Sequence, residues 1–119
     1  MEWHVRFHDA FAPEVLALPR SVRVELLACV KILARMGPTL GRPHVDTLAG
    51  SKHANMKELR FQADNGVWRV AFAFDPARAA ILLVAGDKSG VAQKRFYQSL
   101  VKRADKRFEA HLAALKAEK

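Results

Sequence analysis

The stretch from Gly50 to Val70, GSKHANMKELRFQADNGVWRV, decides the fold. Two runs of strand-forming residues, MKELRF and VWRV, are separated by QADNG, in which Asn65-Gly66 is a strong hairpin-turn signal. Strands favour β-branched and aromatic residues and disfavour Lys and Glu. The hairpin nevertheless carries Lys57, Glu58, Arg60 and Arg69. The pattern predicts an antiparallel hairpin with an unusual number of charged side chains on its strands.

Side chains of a strand alternate between its two faces, so the turn length determines which hairpin residues meet. A two-residue turn at Asn65-Gly66 makes Arg60 and Arg69 diagonal neighbours, a four-residue loop places them directly opposite each other, and a three-residue loop with a bulge breaks this relation. In the first two cases the arginine face also holds Glu58 and two small residues that leave room for a ligand backbone, Ala71 and Ala73. The core face then holds Leu59, Phe61, Trp68, Val70, Phe72 and Phe74.

The segments before the hairpin predict a strand, a helix and a loop. Trp3, Val5 and Phe7 alternate with polar residues, which indicates a strand with one buried face. The stretch LPRSVRVELLACVKILARMGP repeats apolar residues at helical spacing and stops at Gly37-Pro38. The segment 39–54 has no sustained period, which is typical of a loop.

The segments after the hairpin turn complete the fold. The second hairpin strand ends at Asp75-Pro76, and AAILLVAG predicts a short apolar strand inside the sheet. A long amphipathic C-terminal helix is indicated by Phe96, Leu100, Ala104, Phe108, Leu112 and Leu115. Together these elements predict one α+β domain over residues 1–119, with a small antiparallel sheet flanked by helices.

Composition narrows the function classes. The chain has 20 Lys and Arg against 12 Asp and Glu, a formal charge of +8 and a pI near 10.2, which favours an anionic partner. Cys29 lies in an apolar run and indicates a small buried hydrophobe, compatible with a reducing compartment. The chain shows neither a secretory signal pattern nor an apolar run of ~20 residues, so we expect a cytoplasmic protein without a membrane partner.

Common cofactor and metal motifs do not occur. The sequence has no P-loop, GxGxxG or GxSxG motif and no cysteine pair for zinc. The histidines lack a local metal-ligand spacing, and they are His4, His8, His44, His53 and His111. We therefore expect neither a metal nor a cofactor.

The hairpin charges allow two interpretations. Neighbouring guanidinium groups repel unless an anion lies between them, and the planar donor fork of arginine suits a phosphate, so Arg60 and Arg69 are candidates for a phosphate site. The alternative is a cross-strand ion pair of Glu58 with either arginine. Two lysines strengthen the first interpretation: Lys88 follows the apolar strand beside a Gly-flanked turn, and Lys57 stands at the entrance of its strand.

Four motifs resemble those of a RelE/HigB-type toxin of the phage Gp49-like branch: GSKHANMKELR, VWRVAFAFDP, ILLVAGDKSG and FYQSLVKRADKRFEAHL. The resemblance covers nearly the whole chain. It implies the toxin of a bacterial type II toxin–antitoxin system, with a small, highly twisted antiparallel sheet flanked by helices. Such toxins typically enter the ribosomal A site and cut mRNA without a metal. The 2′-hydroxyl attacks the adjacent phosphate and leaves a cyclic phosphate and a 5′-hydroxyl.

This chemistry requires cations at the phosphate, a base for the 2′-hydroxyl and an acid for the departing 5′-oxygen. The resemblance implies that Arg60 and Arg69 hold the phosphate. The base and the acid would come from Lys57, Lys88 and Glu58. Second-rank candidates are His53, Asp87 and Tyr97. Asp87 would either tether Lys88 or an arginine, or lower the local basicity.

The resemblance also explains the positive charge, because ribosomal RNA presents dense phosphates. One face of the last helix is either a ribosomal RNA contact surface or a merely solvated face. It carries Lys94, Arg95, Lys102, Arg103, Lys106 and Arg107. The implied partners are the ribosome, mRNA and an antitoxin, which in this branch is usually a helix-turn-helix protein.

Two other function classes stay open. Related toxins of the same superfamily bind DNA gyrase and perform no RNA chemistry, in which case the hairpin arginines would be structural. A non-enzymatic RNA-binding module is the other alternative. Single-strand binders usually stack bases on exposed aromatic residues, whereas Trp68, Phe72 and Phe74 share the core-facing parity. The ribonuclease is therefore the favoured hypothesis.

Overall fold

The computed structural model of the protein describes residues 2–118. Its strands are β1 (His4–Phe7), β2 (Val45–Thr47), β3 (Lys57–Ala63), β4 (Gly66–Phe74) and β5 (Ala79–Asp87). Its helices are α1 (Ala12–Ala17), α2 (Arg20–Met36), a short 3-10 turn (Gly37–Thr39) and the long α3 (Gln93–Ala117). The predicted α+β class and the long C-terminal helix are confirmed.

The five strands form one sheet in the order β1-β5-β4-β3-β2. All pairs are antiparallel except β1 with β5, which run parallel. The expected antiparallel pairing holds for three of the four strand pairs, and the parallel edge of β1 with β5 makes the sheet mixed. A parallel pair needs a long crossover connection instead of a tight turn, and here the connection from β1 to β5 contains α1, α2 and the hairpin.

Two short elements are absent from the sequence prediction. β2 lies within the segment expected to be a loop and pairs with β3 over three residues, which is too short to show a period. α1 covers six residues and has proline in its first turn. Because β2 extends the sheet beside β3, it brings a further polar strand next to the hairpin charges.

The β3–β4 hairpin turns at Asp64 and Asn65, which have positive φ angles of 52° and 59°. Asp and Asn adopt this left-handed conformation at low cost, and a two-residue turn of this kind matches the twist of the strands. The turn centre is one residue earlier than the predicted Asn65-Gly66. As a result, Arg60 lies directly opposite Arg69, which is the register expected for a four-residue loop.

The sheet has a hydrophobic cluster on each face, whereas the strand alternation predicted one core face and one basic, polar face. The face covered by α1 and α2 contains Phe11, Leu26, Leu33, Leu59, Val70, Phe72 and Leu82. The face covered by α3 contains Met56, Ala71, Ala73, Leu83, Phe96, Leu100 and Phe108. The space that was expected to admit a ligand backbone beside Ala71 and Ala73 is thus filled by α3.

Within residues 2–118 every helix is too short or too polar to cross a membrane.

Candidate active site

An open cavity of about 1040 Å³ lies between β2, β3, the loop that joins them and the first half of α3. Six cationic side chains line it: Arg42, Lys52, Arg60, Lys88, Lys94 and Lys102. They outnumber the two lining carboxylates, Asp46 and Glu58. The largest concentration of charge on the hairpin face therefore surrounds a cavity that suits an extended anion.

Glu58, Tyr97 and Arg69 form a hydrogen-bonded group at the base of this cavity. The Tyr97 hydroxyl donates to Glu58 Oε1 at 2.9 Å. Arg69 Nε donates to the Tyr97 oxygen at 3.3 Å and lies 3.7 Å from Glu58 Oε1. The side chains of Arg69 and Glu58 are only 7% and 5% exposed. Glu58 and Tyr97 line the cavity, whereas Arg69 does not.

Arg60 is the more accessible of the two arginines, with 27% of its side chain exposed. Its NH1 lies 3.3 Å from Asp46 Oδ2 and 3.8 Å from Glu58 Oε2. Asp46 also accepts a hydrogen bond from Arg42 at 2.6 Å. The backbone N–H of Thr47 and then Arg42 lower the pKa of Asp46 below its ordinary value of 3.8. The ionised Asp46 carboxylate therefore holds the exposed Arg42 and the partly exposed Arg60 at the cavity rim.

Burial raises the pKa of the Glu58 carboxyl above its ordinary value of 4.5, although the hydrogen bond from Tyr97 and the charges of Arg69 and Arg60 oppose this effect. Burial also raises the pKa of the Tyr97 hydroxyl above 10.0. A carboxylate in such surroundings binds a proton more readily than an exposed one. Glu58 thus combines access to the cavity with the proton affinity that a general base requires.

Replacing Glu58 with Gln is expected to change the dependence of stability on pH. Because folding raises this pKa, the contribution of Glu58 to stability is complete below about pH 4.5 and is lost as the pH rises through the folded pKa. The free energy of unfolding of Glu58→Gln, relative to wild type, should therefore increase as the pH rises above 4.5. Urea unfolding of both proteins across this range measures the difference. A difference that stays flat or decreases with pH would contradict a Glu58 pKa that burial raises.

Asp87 is the last residue of β5, and Lys88 follows it in different surroundings. Lys88 lines the cavity, and its Nζ lies 5.9 Å from the centre of the Tyr97 ring. Asp87 accepts hydrogen bonds from the backbone N–H groups of Val67 and Ser89 and from the Ser89 hydroxyl. Burial acts to raise the pKa of Asp87, but these hydrogen bonds outweigh it and lower the pKa. Asp87 therefore orders the turn that carries Lys88.

Two predicted candidates lie outside the cavity. Lys57 pairs with Phe72 and shares the strand face of Leu59, which is opposite to the face of Glu58. The His53 ring packs against Phe108 of α3, with ring centres 5.0 Å apart. Neither side chain lines the cavity.

The cationic side chains of α3 lie in three different surroundings: the cavity, the exposed surface and the contact with α1 and β5. Lys94 and Lys102 line the cavity, whereas Arg95 and Arg103 are exposed and do not line it. Arg107, which was expected on the exposed basic face, is largely buried and donates to both Glu14 oxygens at 2.8 and 2.6 Å and to the Leu83 carbonyl. It therefore links α3 to α1 and β5, and this part of the predicted contact surface is a structural ion pair.

Sequence reasoning missed three charged residues that line the cavity: Arg42, Asp46 and Lys52. All lie in the segment that was interpreted as a featureless loop. The only available signal was their density of charge beside Gly41, Pro43 and Gly50, which does not distinguish a site from solvent-exposed loop residues. Among residues 2–118, no group of three or more His, Cys, Asp or Glu side chains is arranged to hold a metal ion.

Comparisons with known proteins agree with this fold. The family model described as phage-derived protein Gp49-like (DUF891) matches residues 13–109. Two candidate toxins of Mycobacterium tuberculosis (strain ATCC 25618 / H37Rv), HigB2 and HigB3, are each 47% identical to the chain over 98 residues. The HigB2 match covers 81% of this chain but only 48% of HigB2, so the chain spans about half the length of that relative. The HigB3 match covers 82% of this chain and 83% of HigB3.

Two solved structures share the fold at low sequence identity. A mutant of the Escherichia coli toxin RelE in the free state has a TM-score of 0.60 and 14% identity, and the match covers 86% of this chain and 96% of that one. The archaeal RelE–RelB complex from Pyrococcus horikoshii has a TM-score of 0.55 and 18% identity, with coverage of 76% and 100%. These structures support the arrangement of sheet and helices.

Proposed function

Since the chain belongs to the phage-derived Gp49-like family, we propose that it is the toxin of a type II toxin–antitoxin system and cleaves mRNA on the ribosome. The observation that carries this proposal is the cavity itself, in which six cations surround the buried Glu58–Tyr97 pair. Cations bind and orient phosphates, and a buried carboxylate accepts protons. The identity with HigB2 and HigB3 supports the same function.

The proposed cleavage step uses Glu58 as the base and Lys88 as the acid, since both side chains line the cavity. The 2′-oxygen attacks the adjacent phosphorus as Glu58 accepts the proton of the 2′-hydroxyl. The bond from phosphorus to the 5′-oxygen breaks, and Lys88 donates a proton to that oxygen. The products are a 2′,3′-cyclic phosphate and a 5′-hydroxyl. In this mechanism the protein's own side chains supply every proton transfer and a metal ion takes no part.

The other site residues bind or position the reacting groups. Arg60 contacts the phosphate directly, because it is partly exposed in the cavity. Tyr97 orients the Glu58 carboxylate through its hydroxyl, and Arg69 stabilises that pair from behind. Lys94 and Lys102 hold the RNA strand along α3, and the exposed Arg95 and Arg103 contact ribosomal RNA, an interaction that depends strongly on salt.

The proposal includes a protein partner and a location. The toxin acts in the cytoplasm, where ribosomes and mRNA are present. A cognate antitoxin, a helix-turn-helix protein, neutralises it, and an acidic surface on that partner would complement the positively charged cavity.

Arg60→Ala is expected to abolish growth arrest and to reduce mRNA cleavage by about 10²-fold or more, because it removes a donor to the charged transition state. Wild type and variant are expressed from an inducible promoter in a bacterial host. Growth is followed, and new 5′ ends of mRNA are mapped and tested for a free 5′-hydroxyl. In-frame cleavage sites are expected with wild type and not with Arg60→Ala.

Arg6→Ala is the matched control, since Arg6 is exposed on β1 at the opposite edge of the sheet. It should leave arrest and cleavage unchanged. Growth arrest without mRNA cleavage, or arrest that persists in Arg60→Ala, would overturn the proposal. DNA damage in the arrested cells would then identify a gyrase-directed toxin.

A further inference from the structure

One buried carboxylate fastens the loop between β2 and β3 to α3. Asp105 is only 7% exposed. Its Oδ1 accepts a hydrogen bond from the Ser51 hydroxyl at 2.5 Å, and its Oδ2 accepts one from the backbone N–H of Lys52 at 3.0 Å. Among residues 2–118, Asp105 forms no salt bridge with Lys, Arg or His. A buried carboxylate is costly unless it is hydrogen-bonded, so these two contacts are its stabilising partners.

His53, which follows Lys52 in the loop, is held in place as well. The Ser51 oxygen accepts a hydrogen bond from the backbone N–H of His53 at 2.9 Å. The His53 ring packs edge-on against Phe108, and its Nε2 lies 3.4 Å from Glu109 Oε2. The segment 51–53 is therefore fixed to α3 on both sides of Lys52.

Lys52 is the residue whose position depends on this attachment. Its side chain is exposed and lines the cavity together with Lys94 and Lys102 of α3. The two α3 lysines lie on a rigid helix, whereas Lys52 lies on a loop. A loop lysine contributes a defined phosphate contact only when its backbone is held in place, because ordering a free segment has an entropic cost.

We propose that Asp105 is a positioning residue that holds Lys52, through Ser51 and the Lys52 backbone N–H, as a phosphate contact for the RNA strand in the cavity. This inference rests on the proposed function, because RNA is the ligand that Lys52 would contact. It adds to that function a cation and a buried carboxylate that act together although they are 53 residues apart in sequence.

The test is a double-mutant cycle on RNA binding. The probe is a short single-stranded RNA, methylated at every 2′-oxygen so that it cannot be cleaved, and fluorescence anisotropy measures its affinity at several salt concentrations. Loss of one phosphate contact to a single strand should make the slope of log affinity against log salt concentration shallower by ~0.7. Between about 1 M and about 50 mM salt, this slope change corresponds to a relative loss of roughly eightfold in affinity at the lower salt concentration. Lys52→Ala and Asp105→Ala should each show this loss, and the double variant should be no weaker than either single variant.

Three variants make the cycle decisive. Lys102→Ala is the matched control: its loss should multiply with that of Asp105→Ala, because Lys102 does not depend on the loop. Asp105→Asn keeps an acceptor for the Lys52 N–H and should restore most of the affinity. Ser51→Ala removes the hydrogen bond to Asp105 Oδ1 and the acceptor of the His53 N–H but leaves the bond from the Lys52 N–H to Asp105 in place, and it replaces Asp105→Ala in the cycle if thermal unfolding shows that Asp105→Ala does not fold.

The outcomes separate this inference from the proposed function. Multiplicative losses for Lys52 and Asp105, or an unchanged affinity in either single variant, would overturn the positioning role even when wild type cleaves mRNA in cells. The expected coupling in a protein that cleaves no mRNA would support the positioning role and overturn the ribonuclease.

Discussion

Glu58→Gln should reduce the rate of mRNA cleavage by about 10²- to 10⁴-fold, the range attributed to a general base. Gln has nearly the same shape as Glu and still accepts the hydrogen bond from the Tyr97 hydroxyl, so the cavity keeps its form. It cannot take the proton of the 2′-hydroxyl. Cleavage by purified protein on programmed ribosomes, measured as a single-turnover rate, gives the size of the effect.

The design of this experiment separates catalysis from folding. Glu25→Gln is the control, because Glu25 is exposed on α2, on the other face of the sheet. It should leave the rate unchanged. A Glu58→Gln protein that cleaves at the wild-type rate would remove Glu58 from the mechanism, and the base would then have to be sought among the lysines of the cavity.

Arg69→Ala is expected to lower the free energy of unfolding by about 3 kcal/mol, near the lower end of the range for breaking a buried ion pair. The reason is that Glu58 would lose the buried cation beside its Oε1 and would keep a buried charge held by the Tyr97 hydroxyl at 2.9 Å and by Arg60 at 3.8 Å. Urea unfolding at neutral pH measures the loss. Any loss of toxicity in this variant must therefore be corrected for the fraction of folded protein.

A second substitution tests the cause of that loss. Arg69→Ala combined with Glu58→Gln should recover much of the stability, because the uncompensated charge is absent. The two substitutions are therefore not additive. If the double variant is as unstable as the sum of the single variants, the packing of the Arg69 side chain, and not its charge, is what stabilises the hairpin.

The sequence contained enough information to predict the faces of the hairpin. The alternation that places Leu59, Val70 and Phe72 in one core also places Glu58 beside Arg60 and Arg69, whichever of the two turn lengths is chosen. The same alternation assigns Lys57 to the face of Leu59, so its separation from Glu58 was available in the sequence. Lys57 was included among the site candidates because it stands at the entrance of the strand that carries Glu58 and Arg60.

Other parts of the site depend on tertiary packing. The contact of Tyr97 with Glu58 joins residues 39 apart in sequence and requires the docking position of α3 across the sheet. Asp46 lies on a strand of three residues, whose pairing with β3 stabilises a segment with no recognisable period. Such long-range contacts are determined by the packing of whole elements, which local patterns do not specify.

The parallel edge formed by β1 has a consequence for the order of folding. Residue 4 pairs with residue 79, and Arg107 reaches Glu14 across 93 residues, whereas β3, β4 and β5 are joined by short turns. Because closing a long loop costs more entropy than closing a short one, the three-strand meander is the natural nucleus and β1 is the last strand to join. We expect local opening to begin at β1, which lies at the edge of the sheet farthest from β2. The cavity, built on β2, β3 and α3, can therefore remain assembled while the N-terminal edge opens.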